Sequence, residues 1–255
     1  MATLTFLGAT DGVTGSLYLL EVGQAKILLE CGLVQGRHEE EQKNMEPFPF
    51  DPQSIDAVVL SHGHLDHSGR LPKLVNDGYS GPIYMTYPTC ELLEIMLKDS
   101  AFLSMRDAEW ENKRRRRAGK EEIEPLYTIE DVERTLQQCN GQAYAETVEI
   151  IDGVKLRFLD AGHILGSAIV ELTISKEGKT RKLVFSGDLG NSCAAILRDP
   201  VQPEKADVLL MESTYGDRNH RPMEETLDEF RDIIREASES GGNILIPSFA
   251  VGRTQ

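Results

Sequence analysis

Cysteine is scarce in this 255-residue chain and never paired in pattern: Cys31, Cys90, Cys139 and Cys193 are the whole complement, and no two form a CxxC spacing. That speaks against a disulfide framework and against a cysteine zinc site, and it fits a reducing cytoplasm. Long apolar runs are absent too. No stretch approaches the roughly 20 apolar residues of a membrane span, so no membrane association is expected. The opening residues, Met-Ala-Thr-Leu-Thr-Phe, carry neither a basic region nor a cleavage-like site, and no secretory signal is read there. Positive charge is in deficit, with a net charge of −15. Such a surface opposes non-specific binding of nucleic acid by the whole molecule. It leaves room for a nucleic-acid enzyme whose acidic residues ligate metal. No internal repeat and no low-complexity tract occur beyond short charge runs. Hydrophobic content of 40% is ordinary for a globular protein, and the length suits one large domain or one domain plus part of another.

What the chain does have is Ser-His-Gly-His-Leu-Asp-His at 61–67. Three of its six histidines and a carboxylate fall within six positions. The apolar run Ile-Asp-Ala-Val-Val-Leu at 55–60 reads as a buried strand that ends in this cluster, and Gly63 lets the backbone turn sharply. Imidazole nitrogen and carboxylate oxygen are donors that divalent zinc accepts. Four of them after one strand can serve two metal ions, with His62 and His64 aimed one way and Asp66 and His67 another.

The rest of the chain alternates strands and helices. Strands are expected over 4–7, 17–22 and 26–30, with a hairpin through Gly23, Gln24 and Ala25. Residues 31–54 read as an irregular, proline-rich loop whose Glu39, Glu40 and Glu41 form a solvated face. A helix is expected from Leu71, a strand over 82–85, and a long helix from Pro88 to about Arg117. Thr128 and Asp131 make a variant capping box at the start of another helix. Strands follow over 145–151, 154–159, 168–174 and 182–185, the first two joined by the hairpin signal Asp152-Gly153. A strand over 208–212, an amphipathic helix from Met223 to about Ser240 and a strand over 243–247 complete the pattern. Two halves, each with strands and then helices, suggest sheets packed between helical layers in an α/β architecture.

Two more places repeat the layout of the first cluster. His163 sits in Asp-Ala-Gly-His-Ile-Leu-Gly-Ser at 160–167, and Asp188 in Ser-Gly-Asp-Leu-Gly at 186–190. Each follows a strand and a glycine. Strand ends converge at one edge of a sheet, so His163 and Asp188 can meet His62, His64, Asp66 and His67 in space. His38 and His220 lack that setting and read as surface residues.

These motifs, taken with Glu-Ser-Thr-Tyr-Gly-Asp-Arg at 212–218 and Pro-Ser-Phe-Ala-Val-Gly-Arg-Thr-Gln at 247–255, resemble the β-CASP branch of the metallo-β-lactamase fold, a family of RNA-processing nucleases. The resemblance runs from near residue 8 to the last residue. It implies an αββα four-layer sandwich over 1–215, lacking its C-terminal return segment, followed by the beginning of an inserted β-CASP domain at 216–255. It implies two zinc ions: His62, His64 and His163 on one, Asp66 and His67 on the other, and Asp188 bridging both. Glu30, where the family usually has Asp in an Asp-Cys-Gly motif, would orient a ligand histidine. Asp66 would hold the attacking hydroxide, and Glu212 would work with a downstream histidine in proton transfer. The family carries further histidines after this region, so the chain reads as the N-terminal portion of a longer protein, short of one ligand on the second metal. The implied activity is endonucleolytic or 5′-exonucleolytic hydrolysis of RNA by a two-metal-activated hydroxide.

Lys113, Arg114, Arg115, Arg116 and Arg117 form the one basic run. They read either as contacts to RNA phosphates or as an exposed helix face balanced by Glu109, Glu111, Glu121 and Glu122. Single-stranded RNA is the expected partner; the assembly is left open, with a homodimer, common among the family resembled, as one option. Two other readings stand beside this one: a hydrolase of the same fold acting on a small ester or thioester, and a non-catalytic RNA-binding subunit.

Overall fold

In the computed structural model the first strands form by alternation. β1 (Ala2–Phe6), β2 (Tyr18–Val22) and β3 (Ala25–Leu29) pair antiparallel in sequence order. The β2–β3 turn is the expected one, with Gly23 at φ 70°. The structure describes every residue except Met1, Glu177, Cys193, Ala195, His220, Arg253 and Gln255, and the side chain of His38 is not described. The surface readings of His38 and His220, the fourth cysteine, and Arg253 and Gln255 of the last motif therefore lie outside the described residues.

Residues 31–54 are less irregular than expected. They hold a short helix α1 (His38–Glu41) and two 3-10 turns, Gln42–Met45 and Pro52–Ser54. β4 (Ala57–Val59) then joins β3 in parallel and leads into α2 (Leu65–Ser68) and α3 (Leu71–Asn76). β5 (Ile83–Thr86) adds next to β4, followed by the 31-residue helix α4 (Tyr87–Arg117). α5 (Ile129–Leu136) starts at the expected capping box, with both reciprocal hydrogen bonds between Thr128 and Asp131. β6 (Cys139–Gln142) closes the first sheet in the order β1-β2-β3-β4-β5-β6. No apolar pattern announces Cys-Asn-Gly-Gln as a strand. Parallel pairing with β5 makes it one.

The second sheet contains β7 (Thr147–Ile151), β8 (Val154–Asp160), β9 (Ala168–Lys176), β10 (Lys179–Phe185) and β11 (Val208–Leu210), in the order β11-β10-β9-β8-β7. Its strands run antiparallel except for the parallel β10–β11 pair.

The two sheets pack face to face. Ile27, Leu29, Ala57 and Val59 from the first interdigitate with Leu156, Phe158, Val170, Leu172 and Phe185 from the second. The alternate residues Leu28, Val58, Leu60, Ile83 and Met85 point the other way, onto Leu71 and Leu74 of α3, Leu93 and Leu97 of α4 and Val132 of α5. β4 is buried on both faces, which is why it reads as a continuous apolar run. Each fully buried Val, Leu or Ile contributes roughly 1.5–3 kcal/mol.

The chain divides into two compact units, Met1–Glu212 and Ser213–Gln255. The first holds both sheets and the helices on the outer face of the first sheet. The second holds α6 (Met223–Ser240), which ends in a left-handed Gly241 at φ 69°. The strand expected over 243–247 is not formed. A strand exists through its ladder, and this run finds no partner among the described residues; Leu245 is 93% exposed. Among the described residues no helix is long and apolar enough to cross a membrane.

Candidate metal centre

Four strand ends deliver the predicted residues to one place. β3 is followed by Glu30, β4 by the 61–67 cluster, β8 by His163 and β10 by Asp188. A backbone hydrogen bond from Ala168 N to Ser61 O, 2.8 Å, ties the second sheet to the cluster. The His163 turn is held from several sides. Ser167 Oγ accepts from His163 N at 3.0 Å and Ile164 N at 3.2 Å, and the hydroxyls of Thr86 and Thr89 donate to Gly166 O at 2.6 and 2.9 Å. Gly162 has φ +64°, and a side chain there would strike the carbonyl of Arg198. Gly32 is needed for a different reason: a Cβ would lie 1.6 Å from the Asp66 carbonyl.

His62 Nε2 and His163 Nε2 lie 3.1 and 3.2 Å from His64 Nδ1. Asp188 Oδ2 lies 3.8 Å from His62 Nε2 and 3.5 Å from His163 Nε2. Donors about 2.1 Å from a tetrahedral cation stand about 3.4 Å apart, so this set matches such a cage. The other oxygen, Asp188 Oδ1, lies 3.3 Å from His67 Nε2, and Asp66 Oδ2 lies 3.6 Å from the same nitrogen. One carboxylate thus faces two donor sets with its two oxygens.

Glu30, His62 and His67 also lie close enough to share an ion, but Glu30 is fully engaged otherwise. It is completely buried, and its Oε2 sits 2.6 Å from His67 Nδ1. That spacing is a hydrogen bond, shorter than two donors around one cation adopt. Its carboxylate also accepts from Ser61 N at 2.6 Å and Ser61 Oγ at 3.0 Å. Because the Ser61 proton goes to Glu30, Ser61 Oγ accepts from His62 Nδ1 at 2.9 Å. His62 Nε2 is then left as a lone pair facing the cage. Glu30 therefore orients two imidazoles, His67 directly and His62 through Ser61. The sequence pointed to one orienting contact, and the Ser61 link was missed, since nothing in a serine before a histidine announces it. Glu30 reaches this position at φ +63°, a left-handed conformation that costs a non-glycine residue on the order of 1 kcal/mol.

Electrostatics divides the imidazoles. Burial, reinforced by the neighbouring histidines, pushes His62 well below its ordinary value and His64 down to about 4. Burial lowers His163 as well. Burial would lower His67 too, but hydrogen bonds and charge from Asp188 and Glu30 override it and hold His67 well above. Burial raises Asp66 and Glu30. Asp188 lies below the ordinary carboxylate range: burial opposes this, and His67, His163 and His64 prevail.

Glu212 sits beside this loop. Its Oε1 accepts from Leu189 N and its backbone N donates to Ser186 Oγ, each at 3.0 Å, so it grips the turn on both sides of Asp188. The basic run is not brought to the centre. It ends α4, roughly 36 Å along the helix from Thr89. Lys113 pairs with Glu109, Arg114 and Arg115 with Glu111, and Arg116 with Glu122.

The profile of the metallo-beta-lactamase superfamily domain matches residues 19–198. Over 97% of this chain, Ribonuclease TTHA0252 of Thermus thermophilus is 45% identical, with 52% of its own length covered. Transcription termination factor FttA of Methanothermobacter thermautotrophicus is 34% identical across all of this chain, with 38% of its length covered. An RNase J-like protein of Methanocaldococcus jannaschii is 32% identical, again across all of this chain, with 53% of its length covered. The chain thus spans about half or less of the curated relatives it matches. The motif resemblance, the mixed α/β fold with two face-to-face sheets and the divalent-metal donor set agree with the matched profile, and the chain belongs to the metallo-β-lactamase superfamily.

Proposed function

We propose that this chain is the catalytic portion of a metal-dependent RNA nuclease of the β-CASP type, and that its lactamase-like domain spans 1–215 with an inserted domain beginning at 216. The observation that carries the reading is Asp188, whose two oxygens face two separate donor sets. The names and similarity of the relatives supply the substrate class.

In this reading His62, His64, His163 and Asp188 hold one zinc ion, and Asp66, His67 and Asp188 hold the second. Bound there, divalent cations make hydroxide available near neutral pH and offset the charge of a phosphodiester. Asp66, raised by burial, orients the attacking water through an oxygen not spent on the metal. Glu30 fixes which ring nitrogen of His67 and His62 carries the proton. Glu212 holds the Asp188 turn and works with a histidine of the full-length protein downstream of this chain in proton transfer. Single-stranded RNA is the substrate in this reading. It also includes a homodimer, checked by sedimentation, and a cytoplasmic setting that suits the free thiols of Cys31, Cys90 and Cys139.

The test is metal content and RNA cleavage, measured on this chain and on the full-length protein after chelation and zinc return. Two zinc ions per full-length protein, with cleavage restored by zinc and abolished in Asp188→Asn, is the expected result. A folded full-length protein that takes up no divalent metal overturns the reading.

A further inference from the structure

α4 carries an unusual outward face. Leu93, Leu97 and Ala101 face the core, whereas Phe102, Arg106, Trp110 and Arg114 follow one another at four-residue spacing along the opposite side. The chain's single tryptophan is 62% exposed and Phe102 is 49% exposed. Tryptophan is highly buried on average, so its exposure calls for an explanation.

The rings are not simply apolar. The Arg106 guanidinium lies over the Phe102 ring at 5.6 Å, and that of Arg114 over Trp110 at 5.1 Å. Each aromatic face therefore arrives paired with a cation. Arg106 and Arg117, unlike Lys113, Arg114, Arg115 and Arg116, have no carboxylate within ion-pair distance among the described residues. The acids nearest in spacing on this face are Asp99, Asp107 and Glu109, and Glu109 is paired with Lys113. In a chain of net charge −15, Arg106 and Arg117 are two cations on this side that stand outside the ion pairs.

We propose that this face is a stacking platform for single-stranded RNA: Phe102 and Trp110 stack bases, and Arg106 and Arg117 contact phosphates. The chemistry is that of strand-tracking surfaces, which combine aromatic faces with cations and accept any base. Ile95 and Leu103 are exposed beside this row; what sets it apart from an apolar docking face with charges at its rim is the cation seated on each ring. The site lies at the other end of the same helix, because the first turn of α4 holds the His163 loop through Thr86 and Thr89. A strand cut at the metal centre is thereby held again along α4. This deepens the nuclease reading and rests on it for the choice of RNA. Within the basic run, Lys113, Arg114, Arg115 and Arg116 are paired with glutamates, which leaves Arg117 of that run and Arg106 of the aromatic row for phosphates.

The test uses the lone tryptophan. The chelated chain is titrated with a 12-nucleotide oligouridylate, reading Trp110 fluorescence and the anisotropy of an end label. Quenching that saturates with the anisotropy is expected, with a duplex of equal length quenching far less because its bases are already stacked. Phe102→Ala should weaken binding at least about fivefold. Arg106→Gln with Arg117→Gln should weaken binding and flatten the slope of log affinity against log salt by about 1.4, roughly 0.7 per lost cation. All these side chains are exposed, so unchanged melting confirms folding. Absence of quenching, or unchanged affinity in both sets of variants, overturns the platform, including the outcome that the face serves a protein. Quenching without any RNA cleavage by the zinc-loaded full-length protein sinks the nuclease reading while leaving the platform standing. Cleavage without quenching does the reverse.

Discussion

On the Oδ2 side of Asp188 three imidazoles are held neutral, and on its Oδ1 side one imidazole is held charged. Imidazole nitrogens stand on both sides, and the Oδ1 side adds the Asp66 carboxylate. The difference comes from the neighbours. His62, His64 and His163 face mainly one another in a buried space, where each added charge is costly. His67 lies between Glu30 and Asp188 and gains two partners for a proton. Equivalent-looking histidines in one short motif are therefore prepared differently: one side offers lone pairs at once, the other must first give up a proton. The fully buried Glu30 carboxylate sets much of that asymmetry.

The sharpest way to break the comparison is to remove what the two sides share. Asp188→Asn replaces an oxygen with an amide and should cost both metal sites together. Orienting partners typically cost 10–100-fold in affinity or activity when lost, so in the proposed reading the loss of Asp188, which faces both donor sets, should cost more than about 100-fold in RNA cleavage by the full-length protein. Loss of both metals by elemental analysis is expected. Retention of one tightly held metal would show that the two sides are independent.

Glu30→Gln comes next. It keeps the shape and one acceptor oxygen but removes the charge that holds the His67 proton. Metal affinity should fall about 10–100-fold, mostly on the His67 side. Glu30→Asp asks whether the extra methylene matters: Glu30 spans to both Ser61 and His67 from a left-handed backbone, and a shorter acid should keep one of these contacts rather than both. Equal loss on both sides, followed by competition with a chromophoric chelator, would contradict the asymmetry.

Much of this centre was legible because its signals are local. A strand, a glycine and a donor recur at His62, His163 and Asp188, and the strand ends bring them together. The two-faced burial of β4 showed in Val58 and Val59 as an unbroken apolar run. What was hidden depends on pairing across the chain. β6 is a strand only because β5 offers it an edge, and the mostly apolar residues 243–247 find none among the described residues. The Ser61 link depends on where one hydroxyl proton points, which spacing cannot encode. The basic run was legible as charge, and so were its balancing glutamates at 109, 111 and 122; which cation takes which acid is seen only in the structure.

pH sharpens the comparison in the chelated protein. The lowered imidazoles stay neutral when folded but take protons when unfolded, so stability falls as pH drops below about 6.5. For His64 that loss continues to about 4. His67 has the opposite sign: its raised value makes its contribution full below about 6.5 and lost as pH rises through that raised value. Melting temperature should therefore peak near neutral pH and decline on both sides. A melting temperature that keeps climbing above about pH 7 would mean that His67 is not held charged.

The smallest effect should come from Ser61→Ala, and it separates the two sides most cleanly. The Ser61 backbone N–H still donates to Glu30, and His67 keeps its own contact with that carboxylate. The hydroxyl's donation to Glu30 and the acceptor for His62 Nδ1 are both lost, so the ring is free to carry its proton on the nitrogen that faces the cage. The expected cost is about tenfold in metal affinity on the Oδ2 side, at the low end for an orienting partner because water can take the hydroxyl's place. The Oδ1 side should hold its metal as before. If both sides weaken equally, Glu30 and Ser61 act as one rigid unit, and the division at Asp188 lies in proton inventory alone, not in how the rings are held.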